Sequence, residues 1–139
     1  MSSKSEGELP AVGTVVDSFF YAGPSSQYAP SYAKRSVSAV KSAPVQVAII
    51  HNNGAFSALR NACAHLGSPL HNGSLADIED VGAVAVVCRR HGWSFHATTG
   101  RCVLGGAGNE EEDRVPVHHV RVDDTGGLWV SVDPIQPQQ

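Results

Sequence analysis

Two short segments of the chain each carry one cysteine and one histidine at close spacing. The first is Cys63-Ala64-His65 and the second is Cys88-Arg89-Arg90-His91. Two thiolates and two imidazoles complete either a tetrahedral zinc site or a [2Fe–2S] cluster. For one site to use both pairs, the fold must bring the two segments side by side. This requirement constrains the architecture more than any other feature of the sequence.

The order of the ligands separates the two kinds of site. In the familiar zinc pattern, cysteine pairs with cysteine and histidine with histidine, each pair from one segment. Here each segment contributes one residue of each type. A cluster of two irons suits this mixed order, because each segment can place its cysteine on one iron and its histidine on the other. The order favours the cluster, and a zinc-bound structural or regulatory module is the alternative.

The residues around the two pairs continue the pattern. They are Leu66-Gly67-Ser68-Pro69-Leu70 after the first pair, Gly92-Trp93 after the second, then Phe95 and Thr99-Gly100-Arg101-Cys102. In these motifs the chain resembles the Rieske [2Fe–2S] domain family over roughly residues 18–132. The resemblance implies an all-β fold, a Rieske-type β-sandwich with a small cluster-binding subdomain formed by two ligand loops. It also implies one [2Fe–2S] cluster per chain, with the ligands Cys63, His65, Cys88 and His91.

The resemblance is strongest to the stand-alone, soluble Rieske-type ferredoxins, including small eukaryotic Rieske-domain proteins. It implies a one-electron carrier and not an enzyme, passing electrons from a reductase to an oxygenase or similar acceptor. A Rieske oxygenase also needs a mononuclear iron held by two histidines and a carboxylate in a second domain. The 139 residues are too few to contain that domain. The alternative is the small Rieske subunit of a larger reductase, such as a nitrite reductase.

Composition indicates one domain built from short strands. The chain is 42 % hydrophobic, and its 14 glycines and 8 prolines favour strands with many turns over helices. We predict a flexible N-terminal tail over residues 1–12 and the Rieske domain over residues 13–135. Predicted strands are Ser18–Ala22, Ser36–Lys41, Val45–Ile50, Ala55–Arg60, Ala83–Val87, Trp93–His96, Arg101–Leu104, Val117–Val122 and Leu128–Val132.

Four smaller structural predictions accompany these strands. Asn52-Asn53-Gly54 is typical of a tight hairpin turn, since Asn-Gly readily takes positive φ. A short helical turn is predicted around Leu75 to Ile78. Residues 105–113 are interpreted as a flexible loop whose acidic run is solvated. Surface or half-buried positions are predicted for His71, His96, His118 and His119.

Charge and cysteine content indicate the environment. The net charge of −3 gives no reason to expect nucleic acid or an anionic membrane as partner, and no apolar stretch approaches the ~20 residues that span a bilayer. Three cysteines, two of them candidate ligands, allow no disulfide framework and leave Cys102 as a small hydrophobic residue. We therefore expect a cytoplasmic monomer, with a processed organellar form as the other possibility.

The loops also predict where the reduction potential falls. High-potential relatives carry an extra cysteine in each loop and a serine after the second His-Gly, and here Ser68, Arg90 and Trp93 hold those places. Because the cluster sulfurs would then receive fewer hydrogen bonds, we expect a reduction potential in the lower half of the Rieske range, which runs from about −150 to +300 mV. Arg89 and Arg90 would place positive charge at the rim of the cluster, where a redox partner could dock.

Overall fold

The fold is almost entirely antiparallel β-structure. The computed structural model describes residues 9–29, 34–65, 67–78, 83–90, 92–109 and 112–135. Two single-turn 3-10 helices lie in this part of the chain, Ser25–Gln27 and Leu70–Asn72. The described strands are β1 Val15–Val16, β2 Phe19–Pro24, β3 Arg35–Ala39, β4 Val47–Asn52, β5 Ala55–Arg60, β6 Ser74–Ile78, β7 Ala83–Val87, β8 Ser94–His96, β9 Cys102–Leu104, β10 Val117–Val122 and β11 Gly127–Pro134.

These strands form two sheets. The larger has the order β1-β2-β11-β10-β5-β4-β3, and the smaller has the order β6-β7-β8-β9. The chain therefore builds five of the seven strands of the large sheet, crosses to build the small one without interruption, and returns to complete the large one. None of the helices in the described residues is long and apolar enough to span a membrane.

The predicted all-β fold is confirmed, and each of the nine predicted strands matches an observed strand to within two residues at either end. The prediction of a helical turn around Leu75 to Ile78 is wrong. That segment is β6, which pairs with β7 over its whole length, Leu75 opposite Val86. Antiparallel pairing with β7, the next strand along the chain and an apolar one, outweighed the local signal. The two-residue strand β1 was not predicted.

The predicted hairpin turn between β4 and β5 is confirmed. Asn52 pairs with Ala55, which leaves Asn53 and Gly54 as a two-residue loop. Their φ angles are 52° and 95°. Both values lie in the left-handed region that Asn and Gly tolerate best. This hairpin fixes the register of β5, the strand that leads to Cys63.

Two groups of buried side chains form the core. One is formed mainly by strands of the large sheet and includes Phe20, Ile49 and Leu128. The other joins the two sheets, with Ile50 and Leu59 from the large sheet and Phe95 from the small one. Cys63 and Cys88 belong to this second group, which we call the inter-sheet core. The candidate ligand segments are thus attached to the part of the core that holds the sheets together.

His118 of β10 is buried, whereas the sequence suggested a surface or half-buried position. Only 2 % of the residue is exposed. Its Nδ1–H donates to the carbonyl of Ser131 at 2.8 Å, so Nε2 is free to accept from Nε–H of Arg60 at 3.2 Å. Burial lowers the pKa of His118; the bond to Ser131 opposes the shift, and Arg60 adds to it. The imidazole is therefore held neutral between three strands.

Acidification should destabilise the protein through this histidine. Because the pKa of His118 is lower in the folded state, unfolded chains bind the extra proton first, and stability is lost as the pH falls below about 6.5. In His118→Gln the free energy of unfolding should fall less between pH 7.5 and pH 5.5 than in the wild type. Chemical unfolding followed by circular dichroism at both pH values measures this. Equal acid sensitivity of the two proteins would show that other groups account for it.

Candidate metal centre

The two ligand segments lie at strand ends that the sheets bring together. The first ligand loop, residues 61–73, connects β5 of the large sheet to β6 of the small one. The second ligand loop, residues 88–93, connects neighbouring strands β7 and β8 of the small sheet. Cys63 follows the end of β5 by three residues, and Cys88 follows β7 directly. Each cysteine is thereby fixed by a paired strand.

Both loops fold into the same hydrogen-bonded turn. In the first, the Cys63 N–H donates to the carbonyl of Ser68 at 2.8 Å, and the Gly67 N–H donates back to the carbonyl of Cys63 at 2.8 Å. In the second, the same two bonds join Cys88 to Trp93 at 2.7 Å and Gly92 to Cys88 at 3.0 Å. Although the histidines sit two and three residues after their cysteines, the turns are equivalent.

A glycine in the left-handed region closes each turn. Gly67 has a φ of 75° and Gly92 a φ of 77°. Side chains other than glycine rarely adopt this conformation, which explains why glycine stands four residues after each cysteine. A Cβ at either position would meet no atom within 4 Å. The backbone at both loop tips is therefore open to approach from outside.

The cysteines and the described histidine differ in exposure. Cys63 is 3 % exposed and Cys88 is 2 % exposed, whereas His65 is an exposed residue. None of the three cysteines, all of which lie in the described residues, forms a disulfide. Two buried thiols on neighbouring loops, with imidazole nearer the surface, fit a cluster whose sulfur-ligated iron faces the core and whose nitrogen-ligated iron faces solvent.

His91, the fourth predicted ligand, lies outside the described residues, and so does Leu66. Within the described ranges, no three His, Cys, Asp or Glu side chains converge on a position for one metal ion. A two-iron cluster does not require such convergence, because each iron takes only two ligands from the protein. The assignment of all four ligands stays a prediction.

Trp93 connects the two loops. Its ring stacks on the imidazole of His65, with 4.4 Å between ring centroids and 9° between ring planes. Gly105 also lies against the indole, and a Cβ added there would be only 2.8 Å from Cδ1 of the ring. Trp93 therefore holds the orientation of the His65 ring, and only a glycine at position 105 leaves room for it.

The segment that carries Gly105 is anchored by Asp113. Oδ2 of Asp113 accepts hydrogen bonds from the backbone N–H groups of Ala107, Gly108 and Asn109 at 3.0, 3.1 and 3.1 Å. The residue is 7 % exposed, so the interpretation of the whole acidic run as solvated is wrong at this position. No sequence signal separated Asp113 from its acidic neighbours, because its three partners are backbone amides.

Cys102 lies beside this anchor. Its thiol donates to the carbonyl of Leu104 at 3.3 Å, and burial together with the Asp113 carboxylate raises its pKa. A raised pKa keeps the thiol protonated and poorly nucleophilic. The half-buried position agrees with the interpretation of Cys102 as a small hydrophobic residue.

Asn61 closes the base of the first ligand loop. Its side-chain oxygen accepts from the His71 backbone N–H at 2.9 Å, and its Nδ2 lies 2.9 Å from Nδ1 of the His71 ring. Two residues on, Gly73 packs against the strand that leads to Cys88, where an added Cβ would lie 2.0 Å from the carbonyl oxygen of Val87. Sequence analysis missed both contacts, which join the ends of the two loops.

Comparison with known proteins places these motifs in a family. The family model described as the Rieske [2Fe-2S] domain matches residues 19–123. None of the curated proteins gives a significant sequence match.

Several solved structures have the same fold. One is a protein of the complex of reduced oxygenase and oxidized ferredoxin in carbazole 1,9a-dioxygenase. It matches at a TM-score of 0.68 and 19 % identity, and the match covers 87 % of this chain and 99 % of that one. The putative NADH-dependent nitrite reductase small subunit from Mycobacterium tuberculosis matches at a TM-score of 0.63 and 18 % identity, over 84 % of this chain and 96 % of that one. NdmB from Pseudomonas putida CBB5 matches at 0.69 and 18 %, over 83 % of this chain and 34 % of NdmB.

Proposed function

The chain belongs to the Rieske [2Fe–2S] domain family, and on this premise we propose that it is a one-electron carrier between a reductase and an oxygenase or similar acceptor. The domain of this family binds a [2Fe–2S] cluster. When bound, such a cluster takes up and releases one electron at a potential set by its mixed thiolate and imidazole ligands. The observation that supports a carrier best is the pairing of two buried cysteines with an exposed histidine in one site.

We propose Cys63, His65, Cys88 and His91 as the ligands. The equivalent turns of the two loops support this assignment, since each presents its cysteine from the same position relative to its glycine. The burial of both thiols excludes water from the sulfur side. The exposed His65 supplies a short route for electrons between the site and a partner protein, and stacking on Trp93 keeps its ring from rotating.

The partner classes are supported by two neighbours of similar size. The chain covers almost the whole of the carbazole dioxygenase neighbour, which favours a free carrier that serves an oxygenase. It covers nearly as much of the nitrite reductase small subunit, which keeps the reductase-subunit alternative as a second candidate. In both proposals this chain transfers electrons and does not itself bind the substrate. The cytoplasmic location and the division at residue 13 stay predictions.

The oligomeric state separates the two candidates. A free carrier should purify as a brown monomer that is reduced by a ferredoxin reductase and NADH and reoxidised by an added acceptor, over many cycles. A reductase subunit should co-purify with a large flavin or haem subunit when expressed from its own source. Size-exclusion chromatography with multi-angle light scattering distinguishes the two, and a stable complex with a large subunit would contradict the carrier proposal.

The reduction potential should lie in the lower half of the Rieske range. No disulfide links the loops, and Trp93 has no hydroxyl to donate to a cluster sulfur at its position. With fewer donors to the sulfurs, the reduced form gains less stabilisation, and we expect a midpoint potential below about +75 mV in a range of about −150 to +300 mV. Protein-film voltammetry at neutral pH measures it. A value well above about +100 mV would contradict the expectation.

A further inference from the structure

Charge is distributed unevenly along the chain. Residues 54–76 and 81–109, which contain both ligand loops and most of the small sheet, hold four arginines and no aspartate or glutamate. The whole chain nevertheless has 13 acidic residues against 10 basic ones. All of the acidic residues therefore lie in the other parts of the sequence. The protein is acidic overall, but the two sequence segments that carry the ligand loops are basic, and residues 77–80 between them hold three acidic residues.

Two of the four arginines lie at the tip of this part. Arg89 and Arg90 are exposed and stand inside the turn that the Gly92 N–H closes on the carbonyl of Cys88. Neither guanidinium forms an ion pair or hydrogen bond with another described residue, whereas Arg60 is engaged with His118. Both positive charges are thus available to an incoming molecule.

The surroundings of the arginine pair suit close approach. His65 is exposed on the neighbouring loop, and the two loop glycines leave open space above the backbone. Electron transfer requires the donor and acceptor groups to come close, so the partner must meet this tip. A positive tip on an acidic protein also orients the molecule in the field of a negatively charged surface before contact.

We infer that the tip formed by Arg89, Arg90 and His65 docks onto an acidic face, rich in Asp and Glu, that surrounds the redox centre of the partner protein. This inference rests on the proposed carrier function and names the chemistry of the partner. Exposed charges at the edge of an interface mainly set association rates and the rejection of wrong partners. A basic partner face would be repelled at this tip even though the net charge of the chain would attract it.

Oxidation of the reduced holoprotein by ferricyanide tests the local charge directly. If the tip controls the encounter, this trianion should react faster at low salt, and the rate constant should fall by about tenfold between about 10 mM and about 200 mM ionic strength. If the net charge of −3 controlled it, the rate constant would rise with salt. A rate constant that rises with salt, or does not change, in stopped-flow measurements overturns the inference. This experiment uses the wild-type protein alone.

Two charge-matched variants locate the effect. Arg89→Glu/Arg90→Glu and Lys34→Glu/Lys41→Glu change the formal net charge equally, and Lys34 and Lys41 are exposed at either end of β3. The arginine variant should invert the salt dependence, while the lysine variant should keep the wild-type sign. The same sign in both variants overturns the inference. Rates are expressed per cluster, with cluster content taken from EPR, so that loss of the cluster itself counts against the proposed function and not against this inference.

A polymer probe extends the test to macromolecules. Poly-L-glutamate should bind the tip and slow the reaction of the wild type with ferricyanide several-fold at low salt, and it should slow the arginine variant much less. Poly-L-lysine of the same length should not slow the wild type. Inhibition by poly-L-lysine alone, or by neither polymer, contradicts an acidic docking partner.

Discussion

Cys63→Ala and Cys88→Ala should each reduce the iron bound per chain to about a tenth of the wild-type value or less, since each removes a proposed anionic ligand that no neighbouring thiol can replace. Both residues are almost fully buried in the inter-sheet core. The only other cysteine, Cys102, has its thiol directed to the carbonyl of Leu104 and lies next to Asp113. Iron and acid-labile sulfide analysis of protein purified without oxygen gives the result.

Cys102→Ala is the matched control for the two ligand variants. It removes the same atom from a half-buried site outside the proposed ligand set, and it should keep full iron and sulfide content and the visible spectrum. Circular dichroism of all three variants shows whether the β-sheets are retained. A Cys102→Ala protein without a cluster, or a Cys63→Ala protein with a normal one, would contradict the assignment.

Gly73→Ala should destabilise the protein by about 3 kcal/mol, the upper part of the range for overpacking a rigid site. The added Cβ would lie 2.0 Å from the carbonyl oxygen of Val87 and 3.2 Å from that of Leu70, and backbone atoms cannot move aside as a flexible side chain could. Because Gly73 ends the first ligand loop and Val87 precedes Cys88, the two loops would be forced apart. Cluster loss in denaturant should therefore accelerate along with unfolding.

The control for this substitution is the next residue. Ser74 is exposed at the start of β6, and Ser74→Ala should change the free energy of unfolding by less than about 0.5 kcal/mol. Guanidinium titrations, followed by circular dichroism and by visible absorption, compare the two variants with the wild type. Equal stability of Gly73→Ala and Ser74→Ala would show that the loop ends are not in rigid contact.

Much of the fold could be predicted because its strands carry local signals. The strand Ala55–Arg60 follows a turn whose Asn-Gly sequence specifies positive φ, and both the turn and the strand limits are confirmed. The strand Ala83–Val87 is a short apolar run, and its limits are confirmed too. By contrast, β6 has no alternation strong enough to exceed a helical signal, and only its pairing with β7 makes it a strand. Pairing with a neighbouring strand decided what the pattern within the segment could not.

In the candidate site, too, local motifs predicted some features and the remaining features depend on tertiary contacts. Short motifs were enough to predict the ligand loops, because cysteine, histidine and glycine at this fixed spacing have few alternative uses. The supporting contacts are tertiary and left no motif. Asp113 anchors a loop through backbone amides, and Trp93 is held by contacts with His65 and Gly105. Such partners become visible only when the chain is folded.

Pulsed EPR of the dithionite-reduced protein, labelled with ¹⁵N-histidine and analysed for iron and sulfide, tests the mixed ligation most directly. We predict two irons and two sulfides per chain and strong coupling of the electron spin to two imidazole nitrogens. A colourless protein with one zinc per chain would contradict this prediction. So would an iron–sulfur signal without nitrogen coupling, since it would show that no imidazole binds the irons.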